Sequence, residues 1–148
     1  MRISVKGRYA LAAMVNLAQN SASGECITVI SIAETLGISK IYLEQVFSLL
    51  KRSGLVNSVK GAQGGYQLTR MPGQITAFDV LSAVELSLFE PTEETVTQKA
   101  PELETAMRLS AFDKLDQAVK ATLEQVTLES LITEAERHKT DQGFMFFI

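Results

Sequence analysis

The sequence predicts a mainly α-helical fold with one small β-hairpin. Apolar residues recur at helical spacing along most of the 148 residues. The clearest exception is the glycine-rich stretch 60–65, which is flanked by two short segments typical of strands. The stretch 101–126 contains no glycine, and no proline after its first residue. It is therefore expected to form one long helix of about 39 Å.

Three helices are predicted in the first third of the chain. The first runs from residue 6 to 19 and is followed by a polar segment. Thr28 is suited to cap the second helix, and Gly37 is suited to end it in the left-handed conformation. Ser39 is suited to cap the third helix, which is expected to run to about residue 53. This spacing is typical of a helix-turn-helix unit.

A hairpin and a fourth helix are predicted to follow. Residues 55–59 and 66–68 are strand candidates, and the loop 60–65 joins them. Thr76 and Asp79 have the spacing of a capping box at the start of the fourth helix. A hairpin directly after a helix-turn-helix unit is typical of a wing, although a simple solvated turn is the alternative interpretation.

The chain is expected to divide into four parts. Residues 1–86 form a winged helix-turn-helix domain, and the acidic segment 87–100 is a linker. Residues 101–126 form a dimerisation helix, because the same helix of a second subunit would cover its apolar stripe. The alternative is that this stripe packs on its own N-terminal domain. Residues 127–148 form a short helix and an apolar tail. The stripe consists of Leu103, Met107, Ala111, Leu115, Val119, Leu123 and Val126.

Charge is distributed unevenly along the sequence. The net charge of the whole chain is −3. Residues 1–70 hold eight basic and three acidic residues, a net charge of +5, whereas the remainder carries −8. This asymmetry is typical of a basic part that faces nucleic acid and is joined to an acidic scaffold. Ordinary solvated surfaces are the alternative explanation.

The composition argues against several other classes of protein. One cysteine cannot form an internal disulfide, and one histidine cannot complete a zinc site of normal spacing. No apolar run is long enough for a signal peptide or a membrane span. Cys26 and His138 lie on different predicted elements with no third orienting group. We therefore expect a cytoplasmic protein that is not an enzyme, with no metal and no membrane partner.

Candidate DNA-binding residues lie in the basic half. The outward side chains of the third helix can donate to base edges and phosphates in a major groove. A lysine before a glycine-rich tip is suited to reach the DNA backbone or the minor groove. The predicted DNA-binding set is Arg2, Lys6, Arg8, Ser39, Lys40, Tyr42, Gln45, Lys60, Gly61, Gly64 and Gly65.

Three separated motifs resemble the Rrf-two family of bacterial winged-helix regulators. They are MRISVKGRYA at residues 1–10, YLEQ at 42–45 and VKGAQGGYQL at 59–68. The resemblance implies homodimers whose long helices cross and whose wings and third helices face an inverted repeat of double-stranded DNA. It also implies groove contacts by Ser39, Tyr42 and Gln45, and a wing contact by Lys60, where arginine is more usual.

The segment 87–100 departs from one branch of that family. Family members that bind an iron–sulfur cluster place three cysteines there, whereas this sequence has Glu90, Glu93 and Glu94. Carboxylates are hard ligands and do not replace thiolates at such a cluster. The resemblance therefore favours the family's cysteine-metabolism repressors, with no cofactor.

The tail carries a further resemblance. Similar repressors end in an aromatic, methionine-rich tail with a C-terminal isoleucine. A terminal isoleucine carboxylate also resembles the tail with which serine acetyltransferase plugs the active site of cysteine synthase, O-acetylserine (thiol)-lyase. Phe146, Phe147 and Ile148 are therefore expected to bind cysteine synthase, with the carboxylate captured by backbone amides. The alternative is that the tail packs on its own dimer.

We therefore predict a sequence-specific, homodimeric transcriptional regulator, a repressor of cysteine or sulfur metabolism. Two alternatives stay open. Cys26 precedes a helix N-terminus and is suited to redox sensing if that position lowers its pKa, although a buried inert side chain is the other interpretation. The second alternative is a protein-interaction module that acts through its tail.

Overall fold

A computed structural model describes residues 2–21, 24–61 and 64–146 of the chain. These residues form helices around one core, with a two-stranded antiparallel hairpin. The elements are α1 (Val5–Gln19), α2 (Val29–Leu36), α3 (Lys40–Arg52), β1 (Val56–Val59), β2 (Gly65–Leu68), a 3₁₀ turn (Pro72–Gln74), α4 (Ala77–Val84), α5 (Pro101–Met107), a π-helical turn (Arg108–Phe112), α6 (Asp113–Glu124) and α7 (Leu128–Phe146).

Local capping signals define the ends of several helices. The Thr28 hydroxyl accepts a hydrogen bond from the backbone N–H of Ser31 at the start of α2. Gly37 ends α2 with a φ of +67°. At α4, Thr76 and Asp79 form both hydrogen bonds of a capping box. The predicted caps of these helices are thus confirmed, because a few neighbouring residues determine them.

The core is built from one face of each helix of the N-terminal part. Four residues of α3, which are Leu43, Val46, Phe47 and Leu50, have no solvent exposure. Leu128, the first residue of α7, is also fully buried in this core. The core therefore recruits a residue from beyond the predicted 1–86 domain.

The wing is fastened at its base. Strands β1 and β2 pair with Val56 opposite Leu68 and Val59 opposite Gly65. Ile27 and Tyr66 exchange two backbone hydrogen bonds of 3.0 and 2.8 Å. A Cβ atom at Gly65, whose φ is +152°, would collide with the Ile27 carbonyl. Glycine at this position therefore allows the hairpin to approach the segment before α2.

The predicted long helix differs from the structure in two respects. A π-helical turn interrupts it, and the Asp113 N–H donates to the Arg108 carbonyl. The helix ends at Glu124, so the prediction that it includes Val126 is wrong. The Val126 carbonyl instead accepts a hydrogen bond from the Ala77 N–H, at 2.7 Å. This tertiary contact turns the chain back towards the core and has no local sequence signal.

The last helix is longer than predicted. The Thr127 hydroxyl caps α7, which spans 19 residues rather than forming a short helix. Glu134 lies close to Arg137 and His138, which are three and four residues along the helix. The hydrogen bond from Arg137 is the largest cause of the lowered pKa of Glu134. Such pairs favour continuation of an exposed helix.

The predicted apolar tail lies at the edge of the described region. Phe146 is the last residue of α7, whereas Phe147 and Ile148 lie outside the described residues. Within the described ranges, no helix is both long and apolar enough to cross a membrane.

Replacement of Gly65 by alanine is expected to destabilise the chain by about 2 kcal/mol, because the methyl group meets backbone and the φ is unfavourable. Urea denaturation measures the change. Gly73→Ala is the matched control, since its Cβ meets only the movable end of Glu129 and is expected to cost less than about 1 kcal/mol. Equal effects of the two substitutions would contradict the proposed close approach at Gly65.

Candidate nucleic-acid interface

Helices α2 and α3 form the predicted helix-turn-helix unit, and the outer face of α3 is polar. The Ser39 hydroxyl caps α3 by accepting from the Tyr42 N–H at 3.4 Å, and it keeps its own proton for donation. Lys40 lies 3.6 Å from Glu44, and both side chains are about half exposed. An exposed pair of this kind contributes little stability, so Lys40 is available to a phosphate. Gln45 is exposed on the following turn.

Tyr42 is oriented differently from the other predicted α3 residues. Its side chain is partly buried, and its ring meets the Tyr9 ring edge-on at 5.4 Å between centroids. Tyr42 is therefore less exposed than the other predicted α3 residues, and its role in DNA binding stays a prediction. The aromatic contact joins the start of α3 to α1, because an edge-on ring pair is favourable in this geometry.

The N-terminal segment that carries Arg2 and Lys6 is held at Ser4 by a buried acid. Glu85 is 9% exposed, and its carboxylate accepts hydrogen bonds from both the backbone N–H and the hydroxyl of Ser4. Ser4 also caps α1, since its hydroxyl accepts from the Gly7 N–H. A Cβ atom at Gly7 would collide with the Glu85 carboxylate. Glycine at position 7 therefore leaves the space in which the Glu85 carboxylate contacts Ser4.

The same contact brings part of the predicted DNA-binding set together. Ser4, Lys6, Tyr42 and Glu85 line one open cleft between α1, α3 and the end of α4. Lys6 thus lies near the start of α3, whereas the side chains of Arg2 and Arg8 are exposed on either side of it in sequence. We call residues 2–8, which carry these three basic side chains, the arm. The hydrogen bonds of Ser4 fix the backbone of the arm, so the Cα positions of its basic residues are fixed as well.

The wing is joined to α3 by a polar contact. Lys51, near the end of α3, donates from Nζ to the Ser58 hydroxyl on β1 at 2.8 Å. Lys60 follows β1 and is exposed. Gly61 has a φ of +119°, and a Cβ atom at Gly64 would collide with the Val59 carbonyl. The described glycines therefore shape the turn, and residues 62–63 at its tip lie outside the described residues.

Comparison with known protein families identifies the family to which the chain belongs. The profile of the Rrf2 family, described as an iron-dependent transcriptional regulator, matches residues 3–134. The chain belongs to the Rrf2 family. This is the Rrf-two family that the three sequence motifs resemble, so that prediction is confirmed.

Relatives in the Rrf2 family extend the match to the whole chain. The transcriptional regulator CymR of Bacillus subtilis strain 168 is 36% identical over 148 residues, which is 100% of both chains. The regulator IscR of Cronobacter sakazakii is 50% identical over 88 residues, which cover 60% of this chain and 54% of IscR. Both are named as transcriptional regulators.

Solved structures of Rrf2-family proteins have the same architecture. The structure of CymR, the global cysteine regulator of B. subtilis, gives a TM-score of 0.72 at 36% identity, covering 90% of this chain and 98% of that one. T. potens IscR gives 0.73 at 34% identity, covering 99% and 96%. The predicted winged-helix fold is thereby confirmed.

The linker of this Rrf2-family chain is fastened by a second buried acid. Glu104 is 7% exposed, and its carboxylate accepts from the backbone N–H groups of Thr95 and Val96 at 3.2 and 2.9 Å. The Glu104 carboxylate thereby holds the loop that precedes α5 through hydrogen bonds to its backbone. Among the described residues, no cluster of three histidine, cysteine or acidic side chains is arranged to bind a metal ion.

The residues of this linker do not suit an iron–sulfur cluster. The one cysteine of the sequence, Cys26, lies instead at the base of the wing, in a shallow cavity with Gly64 and Gln67. Thiolates are the usual ligands of such clusters; the linker contains no cysteine, and its acidic side chains are hard oxygen donors. A redox role for Cys26, which is partly exposed, stays a prediction.

The predicted dimerisation stripe divides into two halves. Leu103, Met107 and Ala111 are exposed, and Leu115 is 60% exposed. Val119 and Leu123 are partly buried because α6 packs on α4 of its own domain. In this contact Lys120 lies 5.3 Å from the centre of the Phe78 ring, and Phe78 packs edge-on against Phe89. The alternative of packing on the chain's own domain thus applies to the second half of the stripe.

Sequence reasoning missed several residues that shape this interface. Ser4 is in a capping position that could have been recognised, because serine directly before an amphipathic helix is a capping signal. Glu85 and Glu104 carry no such signal, since their partners are 81 and about nine residues away. Ile41, exposed on the first turn of α3, was missed because apolar residues are normally assigned to a core.

Proposed function

We propose that this chain is a homodimeric repressor that binds an inverted repeat near genes of cysteine or sulfur metabolism, without an iron–sulfur cluster. The observation that carries the proposal is the 36% identity with CymR over the full length of both chains. CymR of B. subtilis is a global cysteine regulator. Pairing of two subunits would place two α3 helices on successive half-sites of the operator.

Direct base reading is assigned to the outer face of α3. Gln45 is exposed there, and a glutamine amide can form two hydrogen bonds with adenine in the major groove. Ser39 and Lys40 are suited to adjacent phosphates or base edges. Lys60 and the basic arm residues Arg2, Lys6 and Arg8 would supply phosphate contacts that do not depend on base sequence.

The proposed absence of a cluster rests on ligand chemistry. The chain has one cysteine, which lies near the wing and not in the linker. The contact of Glu104 with Thr95 and Val96 already orders the loop that precedes α5. The regulator would therefore respond to a signal other than cluster assembly.

The roles of α3 and the wing are separable by mutation. Gln45→Ala is expected to weaken binding to selected DNA by about 1–3 kcal/mol and to leave random DNA almost unaffected, because only base reading is lost. Lys60→Ala is expected to weaken binding to both DNAs and to flatten the dependence of affinity on salt. Fluorescence anisotropy over a range of salt concentrations measures both effects.

Each variant serves as the control for the other, because both side chains are exposed and neither substitution disturbs the core. An equal loss on selected and random DNA for Gln45→Ala would remove glutamine from base reading. A salt slope unchanged by Lys60→Ala would remove the wing from the interface. Failure of the unaltered chain to bind any DNA would favour the protein-interaction alternative.

The proposed dimer is tested at the exposed half of the stripe. Leu115→Glu is expected to dissociate the dimer, because it places two like charges at a two-fold apolar contact. Leu109→Glu is the matched control, since Leu109 is similarly exposed but lies off the stripe. Sedimentation velocity gives the mass of each variant. A Leu115→Glu variant that keeps the dimer mass would place the interface elsewhere.

Cysteine synthase is the partner protein that we propose for the tail, through Phe146, Phe147 and Ile148. An apolar terminal side chain with a free carboxylate is suited to a pocket that offers backbone amides. Support for this partner comes from the tail sequence and from the similarity of the chain to CymR, a cysteine regulator.

Deletion of Ile148 is expected to abolish binding to cysteine synthase, because both the carboxylate position and the fitted side chain are lost. Titration calorimetry with purified cysteine synthase measures the affinity. Dimer mass and DNA affinity are the controls, and both are expected to stay unchanged. Retained binding would exclude the docking mode, whereas a lost dimer would show that the tail packs on its own protein.

A further inference from the structure

One apolar side chain interrupts the polar face of α3. Ile41 is 70% exposed on the first turn of this helix. Among the large apolar side chains of the described residues, only Leu86 is more exposed. An isoleucine left in water forgoes the stabilisation that burial would give, so Ile41 contributes nothing to the core of the isolated chain.

The neighbours of Ile41 define the face on which it lies. Leu43 is fully buried, and Tyr42 leans on Tyr9. Residues four apart on a helix are surface neighbours, so Ile41 adjoins Gln45. Ile41 and the proposed base-reading glutamine therefore form one row on the outer face of α3.

The net positive charge of α3 favours a polyanion as its partner. Lys40, Lys51 and Arg52 are exposed on α3, against the single acid Glu44. Lys40, next to Ile41, pairs only loosely with Glu44 at 3.6 Å, and the excess positive charge of the helix lies at its C-terminal end, on Lys51 and Arg52. An apolar protein partner would not need this charge, whereas a DNA backbone does.

The major groove offers one apolar group to such a side chain. It is the C5-methyl group of a pyrimidine, which is present in thymine and in 5-methylcytosine and absent from uracil and cytosine. Isoleucine is branched at Cβ and has few χ1 rotamers, so it loses little freedom when it contacts that methyl.

We propose that Ile41 is a specificity-determining residue that reads the C5-methyl group of a pyrimidine next to the base contacted by Gln45. The inference rests on the proposed DNA binding and adds a preference that hydrogen-bonding side chains cannot supply. Thymine is the expected source of the methyl group in unmodified DNA.

The experiment begins with DNA selected by the full-length chain from a random pool. Each thymine of one half-site is then replaced in turn by deoxyuridine in synthetic duplexes, and dissociation constants are measured by fluorescence anisotropy. We expect one thymine at which loss of the methyl group weakens binding about fourfold, the effect of burying one methyl-sized group. With Ile41→Ala, the same replacement is expected to leave the affinity unchanged.

Ile30→Ala is the matched control, because Ile30 is a 51% exposed isoleucine on α2. This variant is expected to keep the fourfold sensitivity to deoxyuridine whatever its overall affinity. A second arm replaces the same thymine by cytosine and by 5-methylcytosine. The methylated base is expected to bind more tightly than cytosine with the unaltered chain and equally with Ile41→Ala.

Two results would overturn the inference while leaving the proposed function intact. One is selected DNA that binds tightly but contains no thymine sensitive to loss of its methyl. The other is an Ile41→Ala variant that keeps the full sensitivity. If the chain selects no DNA, the proposed function fails and the inference fails with it.

Discussion

Burial of one face of α3 is the constraint on which the rest of the interface depends. Leu43, Val46, Phe47 and Leu50 have no solvent exposure, so α3 cannot rotate about its axis without exposing them. The direction of every outer side chain follows from this burial. Phe47 extends the constraint to the wing, because its ring stacks on Tyr66 of β2 at 4.6 Å.

Two buried acids order two irregular segments outside the apolar core. Glu85 holds Ser4, and Glu104 holds the linker backbone at residues 95–96. A buried carboxylate is costly to desolvate, and here backbone and hydroxyl donors compensate for that cost. Both acids therefore hold irregular segments that have no secondary structure of their own.

Local and tertiary determinants explain how far the sequence could predict this structure. The caps at Thr28, Gly37 and Thr76 depend on neighbouring residues and were readable from the sequence. The position of Val126 depends on a backbone bond to Ala77, almost fifty residues away, and was not. The candidate interface also has local and tertiary determinants. The outer face of α3 is predictable from helical periodicity, whereas the partial burial of Tyr42 depends on its contact with Tyr9 of α1.

The π-helical turn at Arg108–Phe112 has a consequence for the angular phase of the apolar stripe. The residues of the stripe that lie in the helix, from Leu103 to Leu123, recur every four residues. On a regular α-helix, each step of four residues rotates the side chain about 40° beyond a full turn. Five steps would spread the stripe over roughly 200°, too wide for one neighbouring helix to cover. A π turn holds more residues per turn, so its five residues return the phase by roughly 80–90°. The interruption thus narrows the stripe to about a third of the helix circumference, and a regular helix of the same sequence would wind its leucines away from any straight partner.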